Sequence, residues 1–139
     1  MRAILIQDRY APGNRLINML KNIPDLEVML KSDLASEAPA LCAEHRPDLL
    51  FLDALSKQDR SALVHIRCIK RELPEIKVVV QIGENDYGLV LEAKEAGADI
   101  VLRKNLTQEE LMQLIRFSIK HYRVYPNPPP EPTEPQPKK

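Results

Sequence analysis

Three charged residues of this chain stand at the ends of short apolar runs. Asp53 directly follows one such run, and Asp8 and Lys104 each come two residues after another. Two carboxylates that lie close together repel each other unless a cation sits between them. Carboxylate oxygens suit Mg²⁺, which takes one or two carboxylates and keeps several waters. A carboxylate, a metal ion and an ammonium group together are suited to phosphoryl transfer onto an aspartate.

This chemistry requires strands that bring the three residues to one edge of a sheet. The run Leu49 to Leu52, before Asp53, is short and wholly apolar, which is typical of a strand buried on both faces of a parallel sheet. On this stretch alone, the favoured interpretation is that Asp53 only begins a turn, where Asp is common. Further strands are predicted over Ala3–Ile6, Leu26–Leu30, Ile76–Ile82 and Ile100–Leu102.

Between the strands, apolar residues recur at helical spacing and predict five helices. The residues that mark them are Leu16, Met19, Leu20 and Ile23; Ala38, Leu41, Cys42 and His45; Ala62, Ile66, Ile69 and Leu73; Leu89, Ala93 and Ala96; and Leu111, Leu114, Ile115, Ser118 and Tyr122. Gly97 follows the fourth helix, where a left-handed residue is favoured. Thr107 and Glu110 have the spacing of a capping box at the start of the fifth.

Strands that alternate with helices predict an α/β fold, a doubly wound, flavodoxin-like five-stranded parallel sheet with five helices. Right-handed crossovers favour the strand order 2-1-3-4-5, which places the first and third strands side by side. Working groups in open α/β sheets lie at the carboxyl ends of the strands. We therefore expect Asp8 and Asp53 to face each other at that edge, with Lys104 joining from the fifth strand.

The composition favours a cytoplasmic protein. The formal net charge is zero, so no basic excess indicates a nucleic-acid surface. The two cysteines, Cys42 and Cys68, lack the spacing of metal ligands or of a disulfide framework, which favours a reducing compartment. Cys42 and His45 are expected to fill the core. No apolar run has the length of a signal peptide or a membrane span, so no membrane contact is expected.

The last part of the chain has a different composition. Seven prolines lie between Pro126 and Pro137, and a segment so rich in proline cannot join the sheet. We therefore expect a folded domain over residues 1–123, followed by a disordered, proline-rich tail or linker over residues 124–139.

Two segments resemble those of the receiver domains of two-component response regulators. The stretch Pro47–Asp53, Pro-Asp-Leu-Leu-Phe-Leu-Asp, resembles the family segment that ends in the phosphoacceptor. The stretch Gly97–Lys104, Gly-Ala-Asp-Ile-Val-Leu-Arg-Lys, resembles the segment that ends in the family lysine. The resemblance covers roughly residues 1–122, which is nearly all of the predicted folded domain.

The resemblance implies a role for each candidate residue. Asp53 would accept a phosphoryl group, Lys104 would contact that group, and Asp8, Asp53 and the backbone carbonyl of Leu55 would bind Mg²⁺. It implies a signalling domain rather than an enzyme, with a histidine kinase or a phosphotransfer protein as the donor. It also implies contacts through the fourth and fifth helices, including a homodimer, to which an exposed Phe117 could contribute.

Several positions depart from the family pattern. Gln7 replaces one member of an acidic pair, which predicts a weaker metal site. Ile82 replaces a Ser or Thr, so it has no hydroxyl to donate, and Val101 replaces an aromatic residue that changes rotamer on activation. Lys57 and Ser61 occupy positions where the family usually has proline and glycine. These departures imply an atypical receiver.

Two functions therefore remain open at the level of sequence. One is a phosphoacceptor signalling domain that uses Asp53 and Mg²⁺, and the other is a pseudo-receiver that binds partners or dimerises without phosphoryl chemistry. A flavodoxin-like nucleotide binder would need a loop rich in Ser, Thr and Gly after the first strand. The stretch Asp8–Asn14 contains one Gly and neither Ser nor Thr, which argues against that third function.

Overall fold

The computed structural model describes residues 1–7, 15–83 and 86–121, and the side chains of residues 117–121 lie outside that description. The strands are β1 (Arg2–Gln7), β2 (Glu27–Ser32), β3 (Leu49–Asp53), β4 (Lys77–Ile82) and β5 (Ile100–Arg103). The helices are α1 (Arg15–Lys21), α2 (Ala38–His45), α3 (Ala62–Glu72), α4 (Tyr87–Ala96) and α5 (Gln108–His121), and a 3₁₀ turn, Ala35–Glu37, leads into α2.

The five strands form one parallel sheet in the order β2-β1-β3-β4-β5, which confirms the predicted fold and strand order. In the register of β1 and β3, Gln7 is the partner of Asp53. At the other side of the sheet, Ile82 of β4 is the partner of Arg103 of β5. The carboxyl ends of these four strands therefore lie along one edge, with Lys104 directly after β5.

All five residues of β3 are buried, as expected for a strand covered on both faces. Leu50 and Leu52 pack into a cluster that includes the inward residues of α2, α3 and α4. Leu49 and Phe51 pack into a second cluster with α1 and α5 on the opposite face. Alternate side chains of a strand point to opposite faces, so one apolar run supplies both cores and fixes the place of Asp53 at its end.

The helix ends follow the local sequence signals. Gly97 ends α4 with φ of 111°, a left-handed conformation that favours glycine. The capping box before α5 is confirmed, because Thr107 N–H donates to Glu110 Oε1 at 3.0 Å and Glu110 N–H donates to Thr107 Oγ1 at 3.1 Å. Within the residues that the structure describes, no helix combines the length and the apolar character that crossing a membrane requires.

Three local predictions need correction. Strand β4 begins at Lys77, one residue later than expected, because the N–H of Ile76 donates to the carbonyl of Leu73 in the turn after α3. Strand β2 begins one residue later than expected and extends to Ser32, because Leu26 belongs to the turn after α1, where its N–H donates to the carbonyl of Ile23. Cys42 is fully buried, as predicted, but the His45 side chain is 37 % exposed. His45 lies in the last turn of α2, where the chain leaves the core, so its ring does not fill the core.

Candidate functional site

Asp53 is a buried carboxylate with a cation beside it. Its exposed fraction is 5 %, and its Oδ1 lies 3.2 Å from the ammonium of Lys104. The other oxygen, Oδ2, accepts a hydrogen bond from Gln7 Nε2 at 3.3 Å. Buried charges are costly unless they are paired and hydrogen-bonded, and here one cation and one amide meet that requirement.

The sheet positions each of these three groups. Gln7 reaches Asp53 because the register pairs the two residues across β1 and β3. Lys104 comes from β5, which is separated from β3 by β4. Its side chain crosses the end of β4 next to Gly83, where a Cβ would lie 3.6 Å from Lys104 Cδ. A methyl group would fit at Gly83, whereas a larger side chain would crowd the path of Lys104 to Asp53.

The backbone that carries Lys104 is held by the first residue of α1. The guanidinium of Arg15 donates to the carbonyl oxygens of both Lys104 and Leu106. Hydrogen bonds from a charged donor are among the strong ones in proteins. Arg15 therefore fixes the turn between β5 and α5 relative to α1, and with it the starting point of the Lys104 side chain.

A pocket of about 250 Å³ adjoins Lys104. Ser56, Lys57 and Gln58, from the loop after β3, form one side. Gly83 and Asp86, from the connection between β4 and α4, form the other. Asp86 caps α4, because its Oδ1 accepts the N–H of Leu89 at 3.0 Å. The pocket combines two lysines, a hydroxyl, an amide and a carboxylate, so it is suited to a small polar ligand.

The structure brings Asp53 and Lys104 together, and Leu55 is buried and lines the adjoining pocket. Asp8, the second predicted carboxylate, lies outside the described residues. The Phe117 side chain also lies outside them, so its predicted exposure stays a prediction. The metal and phosphoryl roles inferred for these residues remain predictions as well.

The two replaced family positions lie in the core. Ile82 and Val101 are almost fully buried and belong to the cluster that α2, α3 and α4 cover. Near them, the guanidinium of Arg103 lies 5.0 Å from the centre of the Tyr87 ring and donates to the Tyr87 hydroxyl. This cation–π contact ties the end of β5 to the first turn of α4.

Three contributors to the site were missed or misjudged from sequence. Asp86 precedes a helix, and that N-cap signal could have placed it at a strand-to-helix connection. Gln7 was expected to offer an oxygen, but its amide nitrogen faces Asp53. Arg15 carries no local signal, because its partners are carbonyl groups distant in sequence.

The donor chemistry of the site fits a magnesium ion. Mg²⁺ is commonly held by one or two carboxylates and several waters, and Asp53 supplies one carboxylate beside Lys104. Gln7 also carries an amide oxygen, which a half-turn of the amide would present to a cation. Within the described ranges, no group of three His, Cys, Asp or Glu side chains gathers around a common point.

Comparisons with known proteins identify relatives of this chain, although no family model matches it. It is 29% identical over 114 residues to the oxygen regulatory protein NreC of Staphylococcus epidermidis, covering 81% of this chain and 52% of NreC. It is 25% identical over 116 residues to the response regulator protein VraR of Staphylococcus aureus, covering 84% of this chain and 55% of VraR. The chain thus spans about half the length of the curated relatives it matches.

The fold is shared with solved structures. A two-component response regulator of the LuxR family from Aurantimonas sp. superposes with a TM-score of 0.76 at 22% sequence identity, covering 88% of this chain and 87% of that chain. At that identity the likeness shows the fold. The chain is therefore similar in sequence to response regulators, and it has the fold of their receiver domains, with the Asp53–Lys104 pair at the end of the sheet.

Proposed function

We propose that this receiver domain accepts a phosphoryl group on Asp53 in two-component signalling. The observation that carries the proposal is the ion pair between the buried Asp53 carboxylate and the Lys104 ammonium. A carboxylate at the end of a buried strand is a suitable nucleophile for a phosphoryl group. The adjacent ammonium supplies positive charge where the phosphoryl oxygens would arrive.

Each residue of the site has a separate role in the proposed transfer. An oxygen of Asp53 attacks phosphorus, the bond from phosphorus to the donor breaks, and the bonding electron pair leaves with the donor group. Lys104 is 39 % exposed at its side chain, so its ammonium can turn from the carboxylate to a phosphoryl oxygen without leaving the site. Gln7 holds the other carboxylate oxygen by its hydrogen bond and orients the nucleophile.

We further propose that Mg²⁺ is held by Asp8, Asp53 and the backbone carbonyl of Leu55. When bound, the ion would neutralise charge on the phosphoryl oxygens. Gln7 in place of a second acid removes one negative charge, so we expect weaker metal affinity. This expectation rests on the donor chemistry of the side chains.

The proposal also covers the source of the phosphoryl group and the proteins that the domain contacts. A histidine kinase or a phosphotransfer protein would supply the phosphoryl group, and the domain would signal by contact rather than act as an enzyme on a separate substrate. Homodimerisation through α4 and α5 is the proposed form of that contact. We propose no nucleic-acid surface on this domain, because the chain has no net positive charge.

The test is incubation with a small phosphodonor and Mg²⁺, followed by intact mass measurement. One added phosphoryl group is expected, and it should be absent in Asp53→Asn. Asp48→Asn is the matched control, because Asp48 is an exposed carboxylate before the opposite end of β3. An adduct that persists in Asp53→Asn, or no adduct on the unaltered chain, would contradict the proposal.

A second candidate function is a pseudo-receiver that works by protein contact alone. The side chains at positions 82 and 101 favour it. Ile82 and Val101 are buried and apolar, so neither can supply the hydroxyl or the rotating ring that the family has at these positions. In that case partner binding or self-association should be equal in the unaltered chain and in Asp53→Asn, with or without phosphodonor. A change in association on addition of phosphodonor, lost in Asp53→Asn, would exclude it.

A further inference from the structure

Gln81 is a polar residue of β4 that lies in an apolar part of the sheet. Its exposed fraction is 6 %, and its partner in the register of β4 and β5 is Leu102. It lies on the face that α1 and α5 cover, because Val79, two residues earlier in the strand, packs into the cluster on that face. No hydrogen bond joins the Gln81 side chain to another residue that the structure describes. Within that part of the chain, both N–H donors of the amide are therefore unused.

The register of the sheet places Gln81 beside Asp53. Leu52 of β3 is the partner of Val80 of β4, so the next residues of the two strands, Asp53 and Gln81, lie level with each other. Asp53 is on the same face as Phe51, which packs into the cluster with α1 and α5. Asp53 and Gln81 therefore project from one face of neighbouring strands, which lie about 4.8 Å apart in a sheet.

Gln81 lies on the side of Asp53 from which Lys104 approaches. From β1, on the other side, Gln7 donates to Asp53 Oδ2. Lys104 binds Oδ1, and its stem crosses β4 next to Gly83, which comes two residues after Gln81 on the same face. Oδ1 thus faces β4, which brings two nitrogen donors to it: the ammonium that is bound there and the Gln81 amide.

A buried amide without a partner costs stability, and most buried polar groups in proteins are hydrogen-bonded. We propose that Gln81 Nε2 donates a hydrogen bond to a phosphoryl oxygen when the group is attached to Asp53 Oδ1. The inference rests on the proposed phosphoacceptor function and adds a residue that binds the transferred group. Gln81 thereby supplies from β4 a neutral donor, which Ile82, without a hydroxyl, cannot supply.

The transfer requires no proton from Gln81. Asp53 Oδ1 forms a bond to phosphorus, the bond from phosphorus to the donor breaks, and its electron pair leaves with the donor group. The phosphoryl group brings negative charge to a buried site, and hydrogen bonds to charged acceptors are stronger than those to neutral ones. Because the amide finds this acceptor only as the group arrives, its hydrogen bond lowers the barrier to transfer.

The experiment measures the rate at which acetyl phosphate phosphorylates the chain in the presence of Mg²⁺, by intact mass. Gln81→Met keeps a similar size and removes both N–H donors. We expect the rate to fall about tenfold, which corresponds to ~1.4 kcal/mol. The midpoint of thermal unfolding should stay the same or rise, because the substitution removes an amide that has no partner in an apolar surrounding. A structural role for the amide would instead lower that midpoint.

A second variant and a matched control accompany this measurement. Gln81→Glu keeps the shape of the side chain and removes the N–H donors, and its carboxylate also repels the phosphoryl group. It should slow phosphorylation at least as much as Gln81→Met. Gln113→Met is the control, because Gln113 is an exposed glutamine of α5, and it should leave the rate unchanged.

The outcomes separate this inference from the proposed function. An adduct that forms at the same rate in the unaltered chain, Gln81→Met and Gln81→Glu would overturn the inference and leave the proposed function intact. A lower unfolding midpoint in both Gln81 variants, with the rate loss no larger than the loss of folded protein explains, would assign the amide a structural role and also overturn the inference. No adduct on the unaltered chain would refute both.

Discussion

Lys104 reaches Asp53 across the end of an intervening strand. The ammonium lies 3.2 Å from the carboxylate, although β4 separates the strands that carry the two residues. The Lys104 stem crosses at Gly83, where a Cβ would be in ordinary contact at 3.6 Å. The ion pair therefore depends on the size of the side chain at position 83, because a large side chain would displace the lysine.

We expect Gly83→Ala to preserve the rate of Asp53 phosphorylation within about twofold, because a methyl group fits the observed distance. Gly83→Val adds two further methyl groups and should displace the Lys104 stem, which would lower the rate at least about tenfold, or ~1.4 kcal/mol. Phosphorylation kinetics by intact mass measure both effects. Equal rates for the alanine and valine variants would show that Lys104 does not depend on this path.

Removal of the Lys104 charge should destabilise the domain. Lys104→Met leaves the nearly buried Asp53 carboxylate without its cation, and we expect a loss of about 1–2 kcal/mol in the free energy of unfolding. This is less than a fully buried pair would lose, because the lysine is partly exposed and solvent screens it. In a double-mutant cycle by urea unfolding, Asp53→Asn should recover most of the loss. Additive effects would contradict a direct interaction.

The opposite edge of the sheet has a second lysine–aspartate pair. Lys70 Nζ lies 2.8 Å from Asp99 Oδ2 and also donates to the carbonyls of Pro74 and Ile76. Asp99 Oδ2 accepts the N–H of Val78 as well. Asp99→Ala should lower the free energy of unfolding by about 2–3 kcal/mol, because it leaves a partly buried ammonium without its carboxylate and removes the acceptor of the Val78 N–H. Chemical denaturation measures the loss, which should exceed that of Asp48→Ala, an exposed control.

The contribution of the α5 capping box to the stability of the domain should depend on pH. Hydrogen bonds from the Thr107 backbone N–H, and then from its side chain, hold the pKa of Glu110 below its ordinary value. A lowered folded-state pKa means that the contribution to stability is complete above the unfolded-state pKa and is lost as the pH falls through the folded-state pKa. Carboxyl chemical shifts of Glu110 should show the lowered pKa. Thr107→Val keeps the backbone N–H and removes the hydroxyl, so it should return the pKa only part of the way to the ordinary value. An unchanged titration would contradict the contribution of the Thr107 side chain.

The two thiols should differ in reactivity. Burial raises the pKa of Cys42 to about 11, so its thiolate is scarce at neutral pH. Cys68 is only partly buried, so an alkylating reagent should modify Cys68 in the native protein and Cys42 after unfolding. Mass spectrometry of the alkylated chain gives the order in which the two cysteines are modified. Native modification in the variant Cys68→Ser would show that Cys42 is accessible.

The fold could be predicted because each strand and helix carries its own signal. The apolar run before Asp53, the capping box and Gly97 each appear in the structure where the sequence places them. The pairing of Asp53 with Lys104 followed from the strand order. The hydrogen bonds of Gln7 and Arg15 could not be predicted, because they depend on side-chain directions and on carbonyl groups that exist only in the folded chain.

The two lysine–aspartate pairs differ in the number of hydrogen-bond partners of the ammonium group. Among the described residues, the Lys70 ammonium has three oxygen partners, equal in number to its three protons, so it has no capacity for another ligand. The Lys104 ammonium has a single partner among those residues, the Asp53 carboxylate. Among the described residues, the Lys70 ammonium therefore has no donor left for a ligand, whereas the Lys104 ammonium has donors left for an incoming anion.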